Sequence, residues 1–130
     1  MIKKEFIILL LTLFGVCTLL MTGCAKTDIP DDSTVTATFI YGDTSISETL
    51  SNEDGKKIKA ILDSKMLYTD SPSCGFSKNI SVMIGGEIYC IARDGCGIVR
   101  VGEKYISLNN TENKKLREIL TSHGFVFPCA

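Results

Sequence analysis

Three two-residue turns that contain glycine constrain the fold of this 130-residue chain more than any other feature of its sequence. The turns are Gly42-Asp43, Gly85-Gly86 and Gly102-Glu103. Each one joins two segments in which apolar and polar residues alternate, as they do in half-buried β-strands. A two-residue turn fixes the register of a hairpin, so Phe39 should face Ile46 and Val99 should face Ile106. The sequence therefore predicts three hairpins, each with its apolar residues on one side.

Two segments between and after the hairpins have helical periodicity. Ser51 is placed to cap the first helix, which ends near Lys65 and buries a stripe of Ile58, Ile61 and Leu62. The second helix begins at Asn109 or Asn110, where Asn109 and Glu112 have nearly the spacing of a capping box. Its apolar stripe ends at His123, and Gly124 is a natural stop.

The predicted order of elements is ββ–α–ββββ–α. A mainly antiparallel sheet with both helices on one face would bury both apolar stripes, so we expect an α+β fold. The β–α–β4–α run resembles the TATA-binding-protein-like fold in its topology. That resemblance implies no function.

The first 23 residues are typical of an export signal. Lys3 and Lys4 precede a largely apolar run over residues 6–21. A helix of that length would span about 24 Å, which is short for a bilayer core of about 30 Å. The segment is therefore predicted to direct export.

The end of this signal resembles the lipobox of bacterial lipoproteins. The matching residues are Leu20-Met21-Thr22-Gly23-Cys24, with Met21 in place of the commoner Leu. The resemblance implies that Cys24 is acylated and becomes the first residue of a protein anchored at the extracytoplasmic face of the cell membrane. An ordinary secreted protein and an uncleaved anchor are the alternatives. Residues 24–33 are polar and predicted to be a tether, and residues 34–130 a single domain.

The charge of the exported part argues against one class of partner. Residues 24–130 carry 12 basic and 14 acidic side chains, a net charge of −2. No basic surplus remains to displace counterions from a phosphate backbone, so no nucleic-acid partner is predicted.

Four cysteines remain in the domain: Cys74, Cys90, Cys96 and Cys129. Export permits disulfides, and four cysteines allow three connectivities. Spacing favours Cys74 with Cys129, and also Cys90 with Cys96 if the loop between those two is wide; a tight turn there would rule the second pair out. The alternative use of these cysteines is metal binding or thiol-redox chemistry. The sequence contains neither a close zinc-ligand pair nor a C-x-x-C motif among them, so no metal or cofactor is predicted.

Other candidate residues have ordinary structural explanations. His123 is the only histidine, and a hydrolase would need it in a cleft beside a carboxylate. At a helix C-terminus it is better explained as a structural side chain. Arg93, Asp94 and Gly95 form a possible recognition turn, although Asp-Gly is first of all a turn sequence.

Three cysteine-containing segments carry a further resemblance. Cys-Gly-Phe at 74–76, Asp-Gly-Cys-Gly at 94–97 and Phe-Pro-Cys at 127–129 resemble segments of small Gram-positive lipoproteins with cysteine-rich extracytoplasmic domains. This resemblance implies a lipoprotein and no particular activity. Because no nucleophile lies beside a base at a suggestive spacing, we expect a non-enzymatic binding or inhibitory module, stabilised by disulfides, whose partner is a protein or a cell-wall component.

Overall fold

A computed structural model describes residues 25–127 and contains six strands and two helices. They are β1 (Val35–Tyr41), β2 (Thr44–Thr49), α1 (Asn52–Leu62), β3 (Ile80–Ile84), β4 (Glu87–Ile91), β5 (Ile98–Val101), β6 (Lys104–Ser107) and α2 (Asn110–Ser122). The strands form one antiparallel sheet in the order β2-β1-β3-β4-β5-β6. The α+β class and the order ββ–α–ββββ–α are thereby confirmed. The likeness to the TATA-binding-protein-like fold stays a topological prediction.

The three hairpins have the registers that their turns predicted. Phe39 pairs with Ile46 across the first turn, Val82 with Tyr89 across the second, and Val99 with Ile106 across the third. The registers agree because a slip of one residue would turn every apolar side chain to the opposite face of the sheet.

Both helices begin with the predicted caps. The Ser51 hydroxyl accepts a hydrogen bond from the Asp54 amide at 3.2 Å. The Asn109 side chain accepts from the Glu112 amide at 2.8 Å, and the Glu112 carboxylate accepts from the Asn109 amide at 3.0 Å, which completes a capping box.

The two helices run antiparallel over one face of the sheet. Their buried residues Ile58, Leu62, Leu116 and Leu120 share one core with alternate residues of the strands. Ionic contacts join the two helices at both ends. Lys65, just after α1, contacts Glu112 at the start of α2, and Asp54 in the first turn of α1 contacts His123 at the end of α2.

The opposite face of the sheet, called here the outer face, is half covered by residues 68–79, the cover loop. Tyr68 exchanges backbone hydrogen bonds with Tyr105 at the β6 edge. The Phe76 ring then lies 5.5 Å from the Tyr105 ring and 5.9 Å from the Arg100 guanidinium. The cover loop therefore lies against β5 and β6, and the outer sides of β1 and β2 remain uncovered.

Residues 25–33, the N-terminal segment, do not form the tether that their polar sequence predicted. The Leu67 amide donates to the Ala25 carbonyl at 3.0 Å, and Lys26 pairs with Met66. Thr27 and Ile29 are buried. The sequence of this segment has no periodicity that could distinguish a docked segment from a linker.

The N-terminal segment is held because it satisfies polar groups at the end of α1. The Thr27 hydroxyl donates to the Leu62 carbonyl at 2.7 Å, and the Ile29 amide donates to the Asp63 carboxylate at 2.9 Å. The last carbonyls of a helix lack partners within the helix, so this docking fills a need of α1 itself.

Three predictions concern residues outside the described range: the export signal over residues 1–23, the acylation of Cys24 and the pairing of Cys129. Within residues 25–127, neither helix is long and apolar enough to cross a membrane.

Candidate functional site

The predicted cysteine pairs are wrong, because Cys74 is bonded to Cys96. Their Cα atoms lie 6.6 Å apart, and the bond fastens the cover loop to the turn between β4 and β5. The pairs Cys74–Cys129 and Cys90–Cys96 are therefore both excluded. Cys90 is instead buried within β4, where the Arg100 guanidinium lies 3.8 Å from its sulfur. The sequence could not show that the cover loop crosses the outer face to reach Cys96.

One group of potential metal ligands surrounds this disulfide. The sulfurs of Cys74 and Cys96 and a carboxylate oxygen of Asp94 all lie within 4.8 Å of one another. Because the two sulfurs are bonded to each other, they have no thiolate to offer a metal. Asp94 already accepts a hydrogen bond from the Cys96 amide at 3.3 Å. In the part of the chain that the structure describes, Cys90 does not join this group.

The turn at Arg93, Asp94 and Gly95 is fastened on two sides and does not project freely. The Arg93 guanidinium packs 4.8 Å from the centroid of the Tyr41 ring, and the Arg93 amide donates to the Gly75 carbonyl at 3.3 Å. On the other side, Asn113 of α2 donates to the Gly95 carbonyl at 3.4 Å. Of these three residues, only Asp94 is exposed to solvent, and the role of this turn in recognition stays a prediction.

His123 lies between two carboxylates that are far from it in the sequence. Its Nδ1 is 2.6 Å from Glu48 Oε1 on β2, and its Nε2 is 2.8 Å from Asp54 Oδ2 on α1. Ionised carboxylates only accept hydrogen bonds, so both ring nitrogens must carry protons. The hydrogen bond to Asp54, with that to Glu48, raises the pKa of His123 above its usual 6.5. Held in this way, neither nitrogen is free to take a proton from a substrate.

A groove of about 560 Å³ opens between the N-terminal segment and the β3–β4 and β5–β6 turns. Its apolar lining comprises Ile29, Leu67, Ile84, Tyr89 and Val101, and its charged rim comprises Lys26, Glu87, Glu103 and Lys104. Tyr89 is 4% exposed, and no described residue forms a hydrogen bond with its hydroxyl. Burial raises the pKa of Tyr89, and the charges of Glu87 and Asp63 raise it further. The groove could hold an apolar group, and the Tyr89 hydroxyl could donate a hydrogen bond to a polar atom of the same ligand. The sequence does not reveal this groove, because Tyr89 has the spacing of an ordinary core residue.

The uncovered half of the outer face ends at an open strand edge. Ile40 of β1 and Met83 of β3 are 44% and 45% exposed, beside the partly exposed Thr36 and Thr38. These four residues are called the outer patch. In the β1–β2 register, Ser45, Ser47 and Thr49 turn their backbone groups away from β1. No described residue pairs with that side of β2, which is the open edge.

Comparison of the chain with protein-family models, with curated proteins and with solved structures gave no match.

Proposed function

We propose that this protein is a lipid-anchored binding module at the extracytoplasmic face of the cell membrane, and that it acts without catalysis. The lipobox-like sequence that ends at Cys24 supports the anchor. The only histidine, which would have to serve any histidine-dependent hydrolase, has both ring nitrogens engaged by carboxylates. A binding role therefore fits the geometry better than hydrolysis does.

The open edge of β2 is the observation that carries the proposal. An unpaired strand edge presents backbone donors and acceptors that an extended polypeptide can pair with. Proteins usually protect such edges with proline, lysine or a bulge, yet β2 contains no proline or lysine and pairs regularly with β1. Its one charged residue, Glu48, accepts a hydrogen bond from His123 and is not free to protect the edge. The edge is therefore suited to a protein partner.

The outer patch adds a second contact for the same partner. Ile40 pairs directly with Ser45, so it lies beside the open edge on the outer face. A strand added to β2 would lie two strand spacings from β1, about 10 Å, so the parts of the partner that flank this strand could fold over the outer face and bury Ile40 and Met83. Backbone pairing would then supply affinity, and the outer patch would supply selectivity.

A site-specific crosslink in the membranes of the native cells tests this proposal. A photo-crosslinking residue at Ser45 of the full-length chain should give a discrete adduct with a protein. The same residue at Lys115, on the exposed side of α2, should give none. Ser47→Pro removes an amide that faces away from β1, so it should abolish the adduct without unfolding the edge strand. Equal adducts from both positions, or an adduct that survives Ser47→Pro, would contradict binding at the open edge.

The alternative function, metal binding or thiol-redox chemistry, has less support. It requires the Cys74–Cys96 bond to be reduced before either sulfur can bind a metal or attack another disulfide as a thiolate. Retention of zinc or copper by the native protein, together with alkylation of Cys74 and Cys96, would favour this alternative over the binding module.

A further inference from the structure

We propose that the domain rests directly on the lipid bilayer, with the surface formed by Lys26 and Met66 against the headgroups. This inference rests on the proposed lipid anchor at Cys24. In this arrangement the domain is not held away from the membrane by a flexible tether, as the polar sequence of residues 24–33 predicted. The occupant of the surface is the bilayer in which the anchor itself is inserted.

Chain geometry places the proposed anchor close to the folded body. Cys24 is covalently joined to Ala25, and the Ala25 carbonyl is held by the Leu67 amide at 3.0 Å. Consecutive Cα atoms are about 3.8 Å apart, so an acyl anchor on Cys24 starts within one residue of the folded body. A free tether of nine residues would have reached about 30 Å when extended. Because the N-terminal segment is docked, the domain cannot move that far from the anchor.

The chemistry of the surface around Ala25 suits a lipid interface. Met66, paired with Lys26, is 60% exposed and offers an unbranched apolar side chain. Lys26 is exposed, and a lysine can lay its methylene stem along an apolar surface while its ammonium reaches the phosphates. Glu103 lies on the same groove rim and offsets the charge of Lys26. Electrostatic attraction to the headgroups is therefore not what keeps this surface against the bilayer. The anchor sets the position, and Met66 and Lys26 make the contact.

The orientation that follows places the open edge away from the bilayer. Lys26 pairs with Met66, and Tyr68 pairs with Tyr105 of β6, so the anchor lies beyond the β6 edge of the sheet. The open edge of β2 is the other edge, five strand spacings away, which is about 24 Å at 4.8 Å per spacing. A partner could pair with β2 without displacing the domain from the membrane.

The absence of tryptophan from the chain makes the test direct. Met66→Trp and Ser47→Trp each introduce a single tryptophan into the full-length lipidated protein, which is then reconstituted into vesicles of phosphatidylcholine and phosphatidylglycerol. When the phosphatidylcholine is brominated, the tryptophan at position 66 should lose fluorescence and that at position 47 should not. As a matched control, a ten-residue Gly-Ser spacer between Cys24 and Ala25 adds about 17 Å of average reach and should restore the fluorescence.

The outcomes separate this inference from the proposed function. Protein that floats with the vesicles but shows no quenching at position 66 would have a tether after all, and only the inference would fail. Quenching that the spacer does not relieve would show that the contact is independent of the anchor. That result would also overturn the inference. A mature chain with an intact mass that lacks acyl groups would overturn the anchor and the inference together.

Discussion

At the scale of single residues, His123 is a cation that joins three elements. It ends α2, and its two ring nitrogens contact Glu48 of β2 and Asp54 of α1. Its side chain is mostly shielded from solvent, so the charge is less screened than that of a surface pair. Loss of its proton would turn a nitrogen lone pair toward a carboxylate.

The raised pKa of His123 predicts a pH-dependent stability. The stabilisation should be fully present below pH 6.5, the value for the unfolded chain, and should be lost as the pH rises through the higher folded pKa. We expect the advantage of the wild type over His123→Gln to fall by about 1 to 2 kcal/mol between about pH 6 and pH 9. Urea denaturation of both proteins across that range measures it. Parallel stability curves would show that the cluster does not couple to folding.

Gly97 occupies a position where both backbone conformation and space disfavour a side chain. Its φ is +73°, and an added Cβ would lie 3.2 Å from the Leu108 carbonyl oxygen, which cannot move without the backbone. Gly42 has a φ of +59° with no atom within 4 Å of the same Cβ, so it is a matched control. Gly42→Ala should cost about 1 to 2 kcal/mol through φ alone, and Gly97→Ala about 1 kcal/mol more. Thermal unfolding of the two variants compares them, and equal losses would contradict the close contact.

At the scale of elements, the cover loop determines what the outer face can bind. It contains no strand or helix of its own, and it is held by Tyr68 at its start and by the Cys74–Cys96 bond further on. Because it lies over β5 and β6, it leaves β1 and β2 as the accessible part of the outer face. The disulfide thus defines the boundary of the proposed binding surface.

Breaking this bond should destabilise the protein through the loop that it closes. For cysteines 22 positions apart, Cys74→Ser with Cys96→Ser should lower the free energy of unfolding by about 3 kcal/mol. Cys90→Ala, which removes a buried thiol and no disulfide, should cost about 1 kcal/mol. Denaturant titrations give both values, and peptide mapping without reduction should recover the Cys74 and Cys96 peptides joined. Recovery of Cys90 joined to Cys96 would show that the pairing is different.

At the scale of the whole molecule, the features that the sequence predicted are those with local causes. The registers of the hairpins followed from turns of two residues, and the Ser51 and Asn109 caps followed from contacts three residues apart. The features that it did not predict depend on residues far apart in the chain. Cys74 reaches Cys96 only because the cover loop crosses the sheet, and His123 is 69 and 75 positions from its two carboxylates.

The docked N-terminal segment also bears on how readily a protease could release the domain from the proposed anchor. A protease needs several residues in an extended, accessible conformation before it can cut a chain. Here residues 25–33 are engaged through Thr27, Ile29 and the Lys26–Met66 pair, and Lys59 donates hydrogen bonds to the Asp31 and Ser33 carbonyls. Cleavage within residues 25–33 therefore requires local unfolding, at a rate set by the stability of that region. With the proposed anchor at Cys24, a domain held in this way would be retained at the surface of the cell that made it.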